Sequence, residues 1–178
     1  MSEYQTKTVF TKKFYLEIGN QSLKEKEFGI PNGYSIVKNE NLDAETYLKM
    51  YSAIGEGYNW TDRLLMDKNE LLQIIHNKEV SIYSFYEGIN FAGYCEFDYR
   101  KKPDVELVYF GLIPNYQGKG IGKQFLNSVL NMAFHLEPSP NRLWLTTCDM
   151  DHPSALTNYL KRGFTIFDEK TLPQLIII

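Results

Sequence analysis

The sequence has little of what marks several functional classes. Only two cysteines, Cys95 and Cys148, occur in 178 residues; they stand far apart with no CxxC partner, so neither a zinc site nor a disulfide framework is indicated, and no metal is expected. Both are expected as buried free thiols of a reducing compartment. Basic residues are not in surplus: 19 Lys and Arg face 22 Asp and Glu, a net charge of −3. That balance argues against a nucleic-acid surface and makes a cationic small partner electrostatically easier. Long apolar runs are missing as well. None approaches the ~20 residues that span a bilayer, and the opening MSEYQTKTVFTKKF lacks the apolar segment of a secretory signal. The expectation is a cytoplasmic protein without a membrane or nucleic-acid partner. The chain also shows no internal repeat and no low-complexity tract.

What is present is a globular composition, 43% hydrophobic and 23% charged, with 15% aromatic residues that suit a filled core or an aromatic-lined cavity. The length favours one domain. Residues 1–33 read as an N-terminal extension packed on a domain of residues 34–178. The extension holds a strand candidate, KKFYLEI, a charged connector, SLKEKE, and a turn, GIPNG.

YSIVK alternates like a strand, and Asn41 or Asp43 is placed to cap the helix AETYLKMYSAIGEG. GYNWTDR breaks the pattern as a loop. DKNELLQIIHN reads as a short helix capped by Asp67 or Asn69, and EVSIYSFYEGINFAGYCEFDYR as two strands turning at Glu87-Gly88. VELVYFGLI is a further strand. Ile121, Phe125, Val129 and Ala133 then recur at the helical period, up to Pro138 and Pro140. RLWLTTC is a strand, and DHPSALTNYLKRGF a short helix with Pro153 at its first position and Gly163 past its end. FTIF and the terminal LIII read as closing strands. His76 and His135 fall near helix ends and have a structural reading.

The stretch NYQGKGIGKQF, between a strand and a helix, crowds glycines and lysines together. A strand running through a glycine turn into a helix start aims unpaired N–H groups and the positive end of a helix dipole at one point, which makes an anion site, most naturally for phosphate. Two phosphate loops fail against the letters. A Walker loop needs glycine where Ile113 stands and Ser or Thr where Gly120 stands. A dinucleotide fingerprint needs its third glycine where Lys123 stands.

Q-x-x-G-x-G does fit, as Gln117-Gly118-Lys119-Gly120-Ile121-Gly122, and with LIPNYQGKGIG before the helix and SALTNYLKRGF later the sequence resembles the GNAT superfamily of acyl-coenzyme-A-dependent N-acetyltransferases. YLEI, NWTDR, VYFGL and TCDMDHPSALTNY further resemble a bacterial branch of unassigned substrate. The resemblance implies an α+β fold, a mixed, mostly antiparallel twisted sheet flanked by helices. It implies acetyl-CoA as donor, a primary amine of a small molecule or protein as acceptor, and direct attack in a ternary complex. The alternative is a non-catalytic acyl-CoA-binding module on the same fold. A homodimer is common in such folds.

By the same resemblance Gln117, Gly118, Lys119, Gly120, Ile121, Gly122 and Lys123 hold the coenzyme pyrophosphate, although the family more usually has arginine at the first position. Phe110, Gly111 and Leu112 would meet the pantetheine arm, and Tyr159, in register with Ala155, Gly163 and Phe164, would bind near the coenzyme sulfur and protonate it on departure. An alkyl ammonium must lose a proton before it attacks. Glu106 matches a base position and equally suits a solvated strand end; Glu96 and Asp98 are alternatives on the neighbouring strand. His152 either contacts coenzyme or caps a helix. The acceptor cavity would be walled by Tyr58, Trp60, Asp62 and Arg63 with Glu96 and Tyr99, residues that ordinary loop packing also explains.

Overall fold

The computed structural model describes residues 4–19, 29–135 and 139–178. Period-two alternation of aromatic and β-branched residues builds seven strands: β1 (Thr6–Gly19), β2 (Tyr34–Asn39), β3 (Val80–Glu87), β4 (Asn90–Asp98), β5 (Val105–Leu112), β6 (Arg142–Cys148) and β7 (Thr165–Ile177). Four helices, α1 (Ala44–Gly55), α2 (Lys68–Ile75), α3 (Ile121–Phe134) and α4 (Ala155–Leu160), flank the resulting single sheet, an α+β architecture. Asp43 caps α1 through Thr46 N–H, and Asp67 caps α2 through Asn69 and Glu70 N–H. His76 and His135 close α2 and α3.

The strand order is β2-β3-β4-β5-β6-β1-β7. Every neighbouring pair is antiparallel except β5 and β6, which α3 joins as a crossover and which run parallel. That pairing covers only Val105 with Leu143 and Glu106 with Trp144. Beyond it β6 keeps its register with β1, where Lys13 faces Cys148, while β5 stays with β4. The β4 ladder is itself bulged: Glu96 faces Tyr109 and Phe97 faces Leu107, leaving Val108 as the extra residue.

Several elements differ from the sequence-based expectation. The KKFYLEI strand extends to fourteen residues and lies inside the sheet between β6 and β7. FTIF and LIII belong to one strand, β7; it pairs with β1 alone, so Pro173 sits on a sheet edge where its missing N–H removes no inner ladder bond. Helix α4 begins at Ala155 rather than Pro153, after a Ser154 with helical angles. Gly163, at φ +97°, ends the segment as expected. Pro138 and the connector SLKEKE lie outside the described residues.

Two cores sandwich the sheet. On one face α3 buries Phe125, Leu126 and Val129 against Leu16, Phe85 and Leu107; the Phe85 and Phe125 rings stack at 4.1 Å. Burying each such ring contributes about 2–3 kcal/mol. On the other face α1 and α2 pack Tyr47, Tyr51, Ile54 and Leu71 against Ile82 and Tyr94.

Inside this second layer Glu96 is fully buried and forms an ion pair with Arg63, Nη2 to Oε1 at 2.6 Å. The Tyr47 hydroxyl donates to Glu96 Oε2 at 2.6 Å and accepts from Arg63 Nε at 3.2 Å. The triad pins the loop after α1 to β4. Removing one partner strands a buried charge, so Glu96→Leu alone should lose about 3–5 kcal/mol of stability in denaturant unfolding, and Arg63→Met with Glu96→Leu should recover most of it.

Candidate active site

Where β5 and β6 part, a cavity of about 410 Å³ opens through the sheet. Its walls are the diverging strand ends, Leu107 to Leu112 on one side and Leu145 to Cys148 on the other, with α3 and α4 on one face and the loop after α1 on the other. Parted strands leave backbone polar groups on their facing edges for a ligand to satisfy.

At one end lies the glycine turn. Gly118 (φ +73°) and Gly120 (φ +78°) adopt left-handed angles, and a Cβ on either would meet nothing within 4 Å. Backbone conformation, not space, therefore requires glycine here. Gly120 is the N-cap of the fourteen-residue α3 and supplies no side-chain bond to the first-turn N–H groups. The turn is braced from below: Tyr116 donates to Glu87 at 3.0 Å, as Tyr34 does to the other carboxylate oxygen at 2.9 Å.

Gln117, Gly118, Gly122 and Lys123 line the cavity. Lys119, Gly120 and Ile121 do not; Lys119 lies over the Tyr116 ring at 5.6 Å, and Ile121 packs on the core. The Gln117 side chain is committed within the protein. Its Nε2 donates to the Leu112 carbonyl at 2.8 Å and its Oε1 accepts from the Tyr58 hydroxyl at 3.0 Å, so it joins the turn to both β5 and the α1 loop.

Phe110, Gly111 and Leu112 form the β5 wall. A Cβ on Gly111 would run into Ile54, and one on Gly93 into the Gly111 carbonyl oxygen. Both glycines thus permit the close approach of α1, β4 and β5 at this end.

Of the carboxylates weighed on β4 and β5, only Glu106 lines the cavity. Burial raises its pKa from 4.5 to about 7, against the opposing pull of Lys101. Asp98 is held in a fork by Arg100, with contacts of 2.6 to 3.0 Å, and Glu96 is the buried partner of Arg63. Neither reaches the cavity, and nor do Arg63 and Tyr99, which the sequence suggested as acceptor walls. Arg63 turns inward because the Glu96 charge draws it there; the Tyr99 ring packs beside Phe97 at 5.9 Å. Tyr58, Trp60 and Asp62 do line the cavity.

Tyr159 is in the wall too, its ring 5.6 Å from that of Phe164. Burial raises its pKa well above the ordinary phenol value, keeping it a proton donor. His152 lines the cavity, and its Nδ1 accepts the Ser154 N–H at 3.1 Å, so the bond braces the approach to α4 and does not reach the N–H groups of its first turn. Cys148 is half-buried in the same wall rather than sealed in the core; Cys95 is fully buried.

Sequence reasoning missed Asp151. Its Oδ1 accepts from Trp60 Nε1 at 3.1 Å, and its Oδ2 from Thr147 Oγ1 at 2.7 Å and Cys148 N–H at 2.9 Å, linking the α1 loop to the end of β6. It also missed Gln174 of β7, which donates to the Asn59 carbonyl at 3.0 Å, and Arg162 at the end of α4. The signal for Asp151 was the run TCDMDHPS, which places an acid at a strand end; the Trp60 contact spans 91 residues and leaves no local trace.

A family model described as Acetyltransferase (GNAT) family matches residues 41–164, more than half of the chain. The chain belongs to the GNAT acetyltransferases. Among solved structures, a functionally unknown conserved protein from Staphylococcus epidermidis superposes with a TM-score of 0.68 at 16% identity, covering 96% of this chain and 63% of that one. A GCN5-related N-acetyltransferase from Kribbella flavida gives 0.59 at 14%, covering 97% and 59%. A putative acetyltransferase from Bacillus subtilis gives 0.60 at 17%, covering 76% and 94%. The chain thus spans about three-fifths of the first two, and at these identities the likeness is one of fold. No curated protein matches the chain.

The cavity therefore has the glycine turn at one end and, in its wall, both Glu106, whose pKa burial raises to about 7, and Tyr159, whose phenol burial keeps protonated. Among the described residues there is no cluster suited to a metal ion, and no helix is long and apolar enough to cross a membrane. The raised pKa of Glu106 has a stability consequence. The folded state holds this proton more tightly than the unfolded chain, so the contribution is complete below about 4.5 and is lost as pH rises through about 7. Unfolding measured across that window should show wild type losing stability relative to Glu106→Gln as pH rises; parallel curves would contradict the burial assignment.

Proposed function

We propose that this GNAT acetyltransferase transfers the acetyl group of acetyl-coenzyme A to a primary amine by direct attack in a ternary complex. The observation that carries the reading is the placement of Glu106 and Tyr159 in the wall of one cavity that ends at the glycine turn. The backbone N–H groups from Gly118 to Gly122 and the start of α3 suit the pyrophosphate of such a donor, and the open edge of β5 from Phe110 to Leu112 suits its amide-bearing arm. Acetyl-coenzyme A supplies an activated thioester. Glu106, as carboxylate, accepts a proton from the acceptor ammonium. The amine lone pair then forms the C–N bond as the C–S bond breaks, Tyr159 delivers its phenolic proton to the departing sulfur, and the acylated nitrogen releases its second proton to water to leave the neutral amide. Solvent restores both groups.

The α1 side of the cavity, with Tyr58, Trp60 and Asp62, is proposed to receive the acceptor. Trp60 and Tyr109 rings at 5.1 Å give it an aromatic wall, and Asp62 with Glu106 gives it acidity, a combination suited to a cation. Cys148 is a poor candidate for a covalent acyl carrier, because burial raises its pKa and disfavours the thiolate.

Titration calorimetry with acetyl-coenzyme A, ATP and NAD tests the donor. Micromolar binding of the first alone, about −8 kcal/mol, is expected; binding of ATP or NAD alone would overturn the reading. With an acceptor in hand, kcat/KM should rise with pH through an apparent pKa of about 7, and Glu106→Gln should lose roughly 10²–10⁴-fold in rate and this ascending limb.

Tyr159→Phe should bind acetyl-coenzyme A as wild type does and turn it over at least about tenfold more slowly, the scale of a lost general acid. Unchanged turnover would remove the phenol from the mechanism. Binding without turnover of any amine by the wild type would instead favour a non-catalytic acyl-coenzyme A module.

A further inference from the structure

The chain has four arginines. Three are neutralised by carboxylates: Arg63 by Glu96, Arg100 by Asp98, and Arg142 by both Glu17 and Asp104. Arg162 is not. It is only 8% exposed, against 7% for Arg63, yet no carboxylate pairs with it among the described residues. Its Nε donates to Asn127 Oδ1 at 3.2 Å and its Nη1 to the Asn158 carbonyl at 2.8 Å. Both acceptors are neutral, so they orient the guanidinium without cancelling its charge. A cation withdrawn from water in this way is unfavourable until an anion meets it.

The open side of Arg162 faces the cavity, whose wall it forms with Asn158 and Tyr159. The sealed, unpartnered polar atoms among the described residues are the Tyr94 and Tyr99 hydroxyls, so the unused N–H groups of Arg162 reach open space. Asn127, which holds the guanidinium, is four residues after Lys123 on α3. The two therefore share a helix face one turn apart, with Cβ atoms about 5–6 Å from each other. Lys123 lines the same cavity next to the glycine turn. Two cations spaced along one wall, one presenting a planar fork of donors, match the geometry of phosphate oxygens.

We infer that Arg162, oriented by Asn127 and assisted by Lys123, forms a phosphate-binding subsite between α3 and α4 that takes a phosphate ester of the acyl donor. This rests on the acyl-coenzyme A reading above. The donor carries such groups both in its diphosphate bridge and on its ribose, and either could supply the anion.

Calorimetry separates the possibilities. Wild type, Arg162→Met and Asn127→Ala are each titrated with acetyl-coenzyme A, its 3′-dephospho form and S-acetylpantetheine, and each is melted without ligand. Arg162→Met should weaken acetyl-coenzyme A tenfold or more, leave S-acetylpantetheine unchanged and keep or raise the melting temperature, because an unpaired buried charge has gone. Asn127→Ala should show the same affinity pattern at smaller size, with a lower melting temperature because the buried charge stays and loses an acceptor, and it decides the matter if the first variant does not fold. A loss that disappears with the dephospho donor assigns the ribose phosphate; one that persists assigns the diphosphate. Unchanged affinity for acetyl-coenzyme A, or an equal loss for S-acetylpantetheine, overturns the subsite. If wild type binds no acetyl-coenzyme A, the functional reading falls and titration with inorganic pyrophosphate decides: binding that depends on Arg162 sustains the subsite, and its absence removes it.

Discussion

The parting of β5 from β6 after two paired residues is the constraint on which the rest of the structure depends. A parallel pair needs a crossover, and here the crossover is α3, so the helix N-terminus is delivered to the end of β5 where the strands have already separated. The position of the glycine turn and the open strand edge are consequences of one topological fact. Strands do not part without support elsewhere. β6 is held through seven residue pairs by β1, and β5 by β4 across the bulge at Val108, so each arm of the split is secured on its outer side. A ligand in the gap then supplies what the missing ladder would have supplied, without the sheet having to open.

Much of this was legible in the sequence because it is local. The glycine turn declares itself through backbone angles that only glycine adopts freely, and Tyr159 through its spacing from Ala155, Gly163 and Phe164 on one short segment. Glu106 was legible as a position; its near-neutral pKa was not, because that depends on how far burial outweighs Lys101. What failed was long-range. Arg63 and Glu96 looked like cavity polar groups, since residue type alone cannot say whether two charges face a ligand or each other. FTIF and LIII looked like separate strands because Pro173 interrupts the apolar pattern, and only an edge position reconciles that proline with a continuous strand. Asp151 and Arg162 were invisible for the same reason in opposite directions: one acquires partners across the chain, the other has no carboxylate partner among the described residues.

The two faces of the cavity are fixed by different means, which bears on what each can do. The α3 and α4 face is built on regular backbone and a helix terminus, so its geometry is set by secondary structure, which fits the donor role proposed for it. The opposite face is a loop, and loops hold shape only through explicit bonds. Here those bonds come from four directions: Gln174 and the Leu175 carbonyl of β7 hold Asn59 and Thr61, Gln117 of the glycine turn holds the Tyr58 hydroxyl, Asp151 holds the Trp60 indole, and the buried Glu96 holds Arg63. Asp151 also grips Thr147 and Cys148, so the carboxylate that sets the aromatic wall is anchored on the same strand end that bounds the split. The loop is thereby tied to β6, and Asp151, with Gln117 on the β5 side, sets the distance from the aromatic wall to the parted strands. A loop held in this way can vary between the bonds, at Asp62, without moving Trp60 or the β5 edge, whereas Tyr58 is itself a brace through its hydroxyl bond to Gln117. Under the proposed acceptor role of this face, acceptor choice is therefore separable from the donor geometry, and Asp62, which lines the cavity without bracing the loop, is the position free to set it.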